Sequence, residues 1–276
     1  MKKQKNEMSF LDHLEELRWH LVRSTLAIFV VAVVIFTFSE TVYNDFLFAH
    51  LEGDFPTYRW LCNLSQLFGF ESDFCNVDLK NNMQSLAPTA QLMNLVWTSL
   101  ILGLIVAFPY ILWEIWRFIS PGLHKTERKK SRTFIFYASI LFFIGVLFSY
   151  YIIAPLSVSF FYNFKVTDII ENKFDFTTHI NLITNTLLGV SLMFELPVVI
   201  FFLTKMGLVT PPFLKKYRKV ALVLVLVLSA IITPPDIASQ VIVTIPIMVL
   251  YEISIFISKR VIKKEQKNSS LKVKTK

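Results

Sequence analysis

The chain has 276 residues, 54% of them hydrophobic and 15% aromatic, with only 17% charged and a mean hydropathy of +0.54. A soluble globular domain carries about 25% charged residues; here the apolar residues fall in blocks between charged clusters, the pattern of a polypeptide that crosses a membrane several times. A net charge of +8 raises nucleic acid as a partner, but the cations are spread over four segments rather than gathered in one groove, which excludes that class.

In chain order, Met1–Met8 is a short basic lead, expected to be disordered. No small-residue cleavage site follows the first apolar run, so no cleavable signal peptide is expected. Ser9 can cap a helix, with Asp12 three positions on. Phe10, Leu14, Leu17 and Leu21 then fall on one helical face, while Asp12, Glu16 and His20 share another. This predicts an amphipathic interfacial helix over 9–22 leading into a first span over Ser24–Ser39, with Arg23 snorkelling at its inner end. Residues 40–89 form a long polar extracytoplasmic segment containing Cys62 and Cys75. A second span, Leu92–Ile115, contains Pro109.

The stretch Arg117–Arg132 follows, with six basic residues, a Ser-Pro-Gly turn signal and one acid, Glu127. A third span, Thr133–Ala154, is expected to end at Pro155, and 156–179 is mixed in character. The fourth span, Ile180–Leu203, contains Glu195 and Pro197. The fifth and sixth are short: Val220–Ile232, a turn over Thr233–Asp236, then Ile237–Tyr251 before Glu252. Thirteen residues of helix rise about 20 Å, against a hydrocarbon core of about 30 Å, so this hairpin barely reaches across and invites local thinning of the bilayer. The basic stretch 261–276 reads as a disordered cytoplasmic tail on a single membrane domain over 1–260.

The count of Lys and Arg sets an orientation. Five lie in the N-terminal segment, six in 117–132, five in 205–219 and eight from Lys259 onward, 24 in all, against Arg59, Lys80, Lys165 and Lys173 on the other side. This split fits six spans with both termini in the cytoplasm.

Few residues could carry chemistry. Glu195 lies ten residues from Lys205, about 15 Å along a helix and near the bilayer midplane. A carboxyl there is expensive and calls for a partner. Pro197 removes a helix hydrogen bond to the Met193 carbonyl and favours a kink. Two readings stand side by side: a protonated Glu195 bonded to a neighbouring helix, or a docking point for a partner's polar residue or a proton. Glu16 and Glu127 are carboxylates on a side rich in cations. Spacing alone favours local pairs, Glu127 with Lys130 and Glu16 with Arg18; convergence of the two would instead make an acidic pocket suited to paired guanidinium groups. Cys62 and Cys75 share one extracytoplasmic segment, and a bridge between them is favoured if that compartment is oxidising, worth about 3 kcal/mol in the chain-entropy model. The five histidines are scattered, and no metal, nucleotide or nucleophile motif is present in the sequence, so neither an enzyme nor a cofactor is expected.

Four motifs occur in order: H-L-E-E-L-R at His13–Arg18, F-I-S-P-G-L-H-K-T-E-R at Phe118–Arg128, F-E-L-P at Phe194–Pro197, and T-P-P-D-x-x-S-Q at Thr233–Gln240. On six spans they resemble the TatC family, the core subunits of the twin-arginine protein translocase, over about Ser9–Lys259. The resemblance implies an all-α, glove-like concave bundle in the inner (cytoplasmic) membrane. It also implies a receptor for twin-arginine signal peptides of folded proteins, working in an oligomeric complex with TatA- and TatB-type single-span subunits and driven by the proton-motive force. It assigns Glu16 and Glu127 to the two arginines, with Arg18, Phe118 and Pro121 shaping that site. It assigns Glu195 and Pro197, with Thr233 and Gln240, to contact with partner helices. The long 40–89 segment, its two cysteines, and His124 and Thr126 depart from the family pattern. The alternative function is a proton-coupled transporter of small solutes using Glu195; such folds show inverted repeats, and none is evident here. An intramembrane hydrolase lacks a nucleophile–base pair.

Overall fold

The computed structural model describes residues 10–67, 75, 83–119, 131–167, 174–232 and 237–274. In chain order these form α1 (Phe10–Thr37), a helical turn (Ser39–Thr41), a π-helical stretch (Val42–Leu47), a 3-10 turn (Ala49–Leu51), α2 (Pro56–Leu67), β1 (Met83–Gln84) and α3 (Ala90–Ile119). Then follow α4 (Ser131–Phe148), a second π-helical stretch (Ser149–Ile153), α5 (Ala154–Asn163), β2 (Phe174–Asp175), α6 (Phe176–Phe194), α7 (Leu196–Lys205), α8 (Pro211–Lys216), α9 (Arg218–Ile232) and α10 (Ile237–Lys274). The two strands pair in parallel.

Among the described residues, five stretches are long and apolar enough to cross a bilayer: Leu14–Thr37, Ala90–Phe118, Ile135–Asn163, Phe176–Lys205 and Gln240–Lys263. This is a multi-pass membrane protein. Its described surface agrees: Leu26, Phe29, Val30, Val33 and Val34 of α1 are all exposed, as an apolar solvent allows. Helix α9 has 15 residues and rises about 22 Å, short of the hydrocarbon thickness.

Several expected boundaries shift. No Gly or Pro interrupts 10–37, so the interfacial helix and the first span are one continuous helix. Pro155 does not break the helix: it sits in the first turn of α5, which follows the π-helical stretch directly, and the apolar stretch runs on to Asn163. Glu252 does not end helix α10. Its carboxylate accepts from Arg218 at 2.6 Å, and beyond this pair the helix continues through Ile253, Ile255 and Phe256. The disordered tail expected over 261–276 gives way to helix as far as Lys274.

The chain divides into two compact units, Met1–Val42 with Leu92–Ile140, and Tyr43–Gln91 with Leu141–Lys276. The first is built on α1 and α3. Gly103 of α3 faces the Ile28–Ala32 stretch of α1 so closely that a Cβ would lie 3.0 Å from the Ile28 carbonyl oxygen. The second unit has its core where Val190, Met193 and Phe194 of α6 meet Ile153, Val225 of α9, and Val243 and Ile247 of α10. Gly145 lets α4 approach α6 here, since a Cβ would fall 2.8 Å from the Ser191 Cα. Nearer the end of α7, Ile200, Leu214, Tyr251 and Ile255 form a smaller cluster. The Tyr251 hydroxyl donates to the Leu214 carbonyl at 2.8 Å, and the Thr204 and Ser258 hydroxyls are 2.9 Å apart.

The described part of the polar segment after α1 packs against the third span. Leu47, His50, Leu51, Phe55, Thr57 and Tyr58 are buried, and the reason lies in the third span. A π-helical stretch followed by Pro155 upsets the regular hydrogen-bond ladder and leaves carbonyls needing donors. Side chains from residues 50–58 supply them. His50 Nε2–H donates to the Tyr150 carbonyl at 2.9 Å, Thr57 donates to the Tyr151 carbonyl, and the Tyr58 hydroxyl lies 3.0 Å from both the Pro155 and His50 carbonyls. Phe46 stacks on Tyr150 with ring centroids 4.3 Å apart. Burial holds the His50 imidazole down to about 4, opposed by hydrogen bonds to the Tyr150 and Leu47 carbonyls. Cys62 of α2 and Cys75 are joined by a disulfide.

Candidate functional site

Within the first unit, one face of α1 and the end of α3 enclose a pocket of about 390 Å³ lined by Glu16, Trp19, His20, Arg23 and Arg117. Helical spacing explains the α1 contribution: residues 16, 19, 20 and 23 fall on one face at i, i+3, i+4 and i+7. Oε2 of Glu16 is buried and meets no hydrogen-bond partner among the described residues, although two arginines line the same pocket. The Arg117 guanidinium stacks over Trp113 of its own helix, 5.6 Å from the ring centroid. A carboxylate with unused acceptor capacity, on a residue that lines a cavity of this size, can take a guanidinium or an ammonium group.

The pocket is held from behind by a cluster that the motifs do not mark. Glu114 of α3 is 1% exposed. Its Oε2 meets Nδ1 of His20, and its Oε1 accepts from the Tyr110 hydroxyl at 2.9 Å. Phe118 meets the other side of His20 edge-on, with centroids 6.1 Å apart. The spacing held the signal, since Tyr110 precedes Glu114 by four residues and Glu16 precedes His20 by four. That the two spacings face each other follows only from packing α1 against α3.

Of the residues singled out by sequence, Glu16 lines the pocket and Phe118 touches it through His20. Arg18 is exposed and is not part of the lining. Glu127 and Pro121 lie outside the described residues, as does Thr233. In the second unit, Glu195 sits where α6 ends and α7 begins, with φ −75° and ψ −2°. Its N–H donates to the Leu192 carbonyl at 3.1 Å, and its own carbonyl accepts from Val198 and Val199, so the helix is re-started rather than lost. Pro197 occupies the first turn of the new helix. The Glu195 side chain is 7% exposed, and neither carboxyl oxygen has a hydrogen-bond partner among the described residues. Gln240 of α10 donates to the Leu226 carbonyl of α9 at 3.0 Å. Glu16 and Glu195 belong to different units. Among the described residues, no three His, Cys, Asp or Glu side chains are grouped to hold a metal.

Known proteins match this chain along most of its length. The family model described as Sec-independent protein translocase protein (TatC) covers residues 12–246. The chain is 40% identical over 270 residues to the Sec-independent protein translocase protein TatC of Blattabacterium sp. subsp. Periplaneta americana (strain BPLAN), covering 96% of this chain and 100% of that one. It is 32% identical over 265 residues to TatCy of Bacillus subtilis (strain 168), covering 96% and 94%. A crystal structure described as the twin arginine translocase receptor TatC in DDM superposes with a TM-score of 0.70 at 30% identity, covering 89% of this chain and 99% of that one. On a family model and relatives aligned nearly end to end, the chain belongs to the TatC family of Sec-independent protein translocase proteins.

Proposed function

We propose that this chain is the signal-peptide receptor of a twin-arginine translocase, and that Glu16 and Glu127 together hold the two guanidinium groups of the signal. The observation that carries the reading is Oε2 of Glu16, buried and without a hydrogen-bond partner among the described residues, in a pocket that Arg117 near the end of α3 helps to line. Planar guanidinium groups bind carboxylates in a bidentate manner that an ammonium cannot copy. In this reading Phe118, Pro121 and Arg18 help to shape the site that Glu16 and Glu127 form. The related structures described as a twin arginine translocase receptor support the assignment.

In this reading the chain makes six spans, α9 crossing a locally thinned bilayer of the inner membrane, with both termini in the cytoplasm. The distribution of Lys and Arg supports that orientation, and a Cys62–Cys75 disulfide suits an oxidising extracytoplasmic compartment for 43–91. The signal then inserts along the second unit near Glu195 and Pro197, where TatA- and TatB-type helices dock with the help of Thr233 and Gln240, and the proton-motive force drives transport. The test is photocrosslinking from position 127 to a signal peptide bearing Arg-Arg, with Lys-Lys as control. A crosslink formed with Arg-Arg and lost with Lys-Lys is expected. Equal crosslinking of both, in a well-inserted protein, refutes the receptor site.

A further inference from the structure

Helix α1 has little to fix its rotation. Among its described residues only His20, Ser24 and Ala32 are buried, and its remaining surface is mostly exposed apolar side chain. Such a helix gains no hydrophobic stabilisation from one rotation over another when its surroundings are as apolar as itself; packing and polar contacts decide. Gly103 sets how closely α1 and α3 approach. One polar contact between the two helices among the described residues is His20 with Glu114, and Glu114 is itself tied to Tyr110 at 2.9 Å. Away from water, a carboxylate bonded on both oxygens is a rigid anchor, and breaking one partner is costly. His20 lies one helical turn from Glu16 on the same face, so whatever fixes His20 also fixes the direction in which Glu16 points.

We propose that Glu114 is a positioning residue of the twin-arginine pocket: through His20 it sets the rotation of α1 that turns the Glu16 carboxylate into the cavity. The proposal rests on the receptor reading above. Glu114 touches no part of the signal in this arrangement and acts only through α1. Phe118 completes the device by bracing the imidazole edge-on, which gives that motif residue a role inside the protein.

The test uses the full chain in lipid nanodiscs and a fluorescent signal peptide with Arg-Arg, with a Lys-Lys peptide as control. Wild type is expected to prefer Arg-Arg; if it does not, the receptor reading fails whatever Glu114 does. Given that preference, Glu114→Leu is expected to weaken Arg-Arg binding about tenfold or more, the size of one lost charge-assisted bond. In a Glu16→Gln background the same substitution is expected to change binding by less than about twofold, because its route of action has been removed. His20→Leu cuts the same link from α1 and is expected to reproduce both results, which keeps the test decisive if Glu114→Leu does not insert. A spin-label distance between positions 16 and 113, read without peptide, is expected to be narrow in wild type and broad in both variants. Equal losses with and without Glu16, or an unchanged distance distribution, would overturn the proposal and leave Glu114 a residue of general stability.

Discussion

Replacing Glu195 by leucine should stabilise this protein while disabling it. The side chain is 7% exposed, both carboxyl oxygens are buried, and neither has a hydrogen-bond partner among the described residues. Leaving a buried polar group unpaired costs about 1–3 kcal/mol by protein mutational data. Leucine has similar volume, and the neighbouring Met193, Phe194 and Leu196 already belong to or pack against an apolar cluster. Pro197 stays in place, so the break between α6 and α7 is kept. Glu195→Leu should therefore raise the unfolding free energy of the detergent-solubilised protein by about 2 kcal/mol, read by urea titration. Glu195→Gln keeps the unmet polar atoms and should shift it by less than about 1 kcal/mol. If Glu195 is the partner contact proposed above, export of a reporter carrying a twin-arginine signal should fall to background in the leucine variant. A leucine variant destabilised by more than about 1 kcal/mol would refute the reasoning, since it would mean that the carboxyl is satisfied inside the protein.

Three further outcomes follow from the second unit. Tyr58→Phe strands the Pro155 and His50 carbonyls that the hydroxyl now reaches at 3.0 Å, and should cost about 1–3 kcal/mol in the same titration; a change below about 0.5 kcal/mol would show that these carbonyls have other donors. The His50 imidazole is held down to about 4 by burial, so the unfolded chain binds the proton more readily between that value and about 6.5. The associated stability is complete above about pH 6.5 and is lost as pH falls towards 4, up to about 3 kcal/mol; His50→Gln should flatten the pH dependence relative to wild type, and parallel curves would contradict this. Gly145→Ala places a methyl group 2.8 Å from the Ser191 Cα, where backbone must move, and should lower stability by about 1–3 kcal/mol, against no loss if α4 and α6 can separate freely.

The amphipathic start of α1 illustrates what was legible and what was not. Glu16 stands out in the sequence as a carboxylate on a cation-rich side, and the structure gives it a pocket. Its supporting pair, His20 and Glu114, is separated by 94 residues, and no periodicity along one helix reveals a contact with another. The same limit explains the boundary errors. The partner of Glu252, Arg218, lies 34 residues earlier and is equally hidden from any local reading. Pro155 reads as a terminator until the π-helical stretch before it and the donors from residues 50–58 are seen to satisfy the exposed carbonyls.

By itself the sequence determined that this is a multi-pass helical membrane protein, because every backbone polar group in a bilayer must be bonded within its own segment and a long apolar run leaves the helix as its one solution. It also determined the family, since the motifs are local strings. Tertiary structure alone decided which polar groups meet: His20 with Glu114, Arg218 with Glu252, Tyr58 with Pro155, and Glu195 with no hydrogen-bond partner among the described residues. In an apolar solvent the pairing of a few polar side chains is set by which helices touch and at what rotation, and those are properties of the packed chain rather than of any one stretch of it.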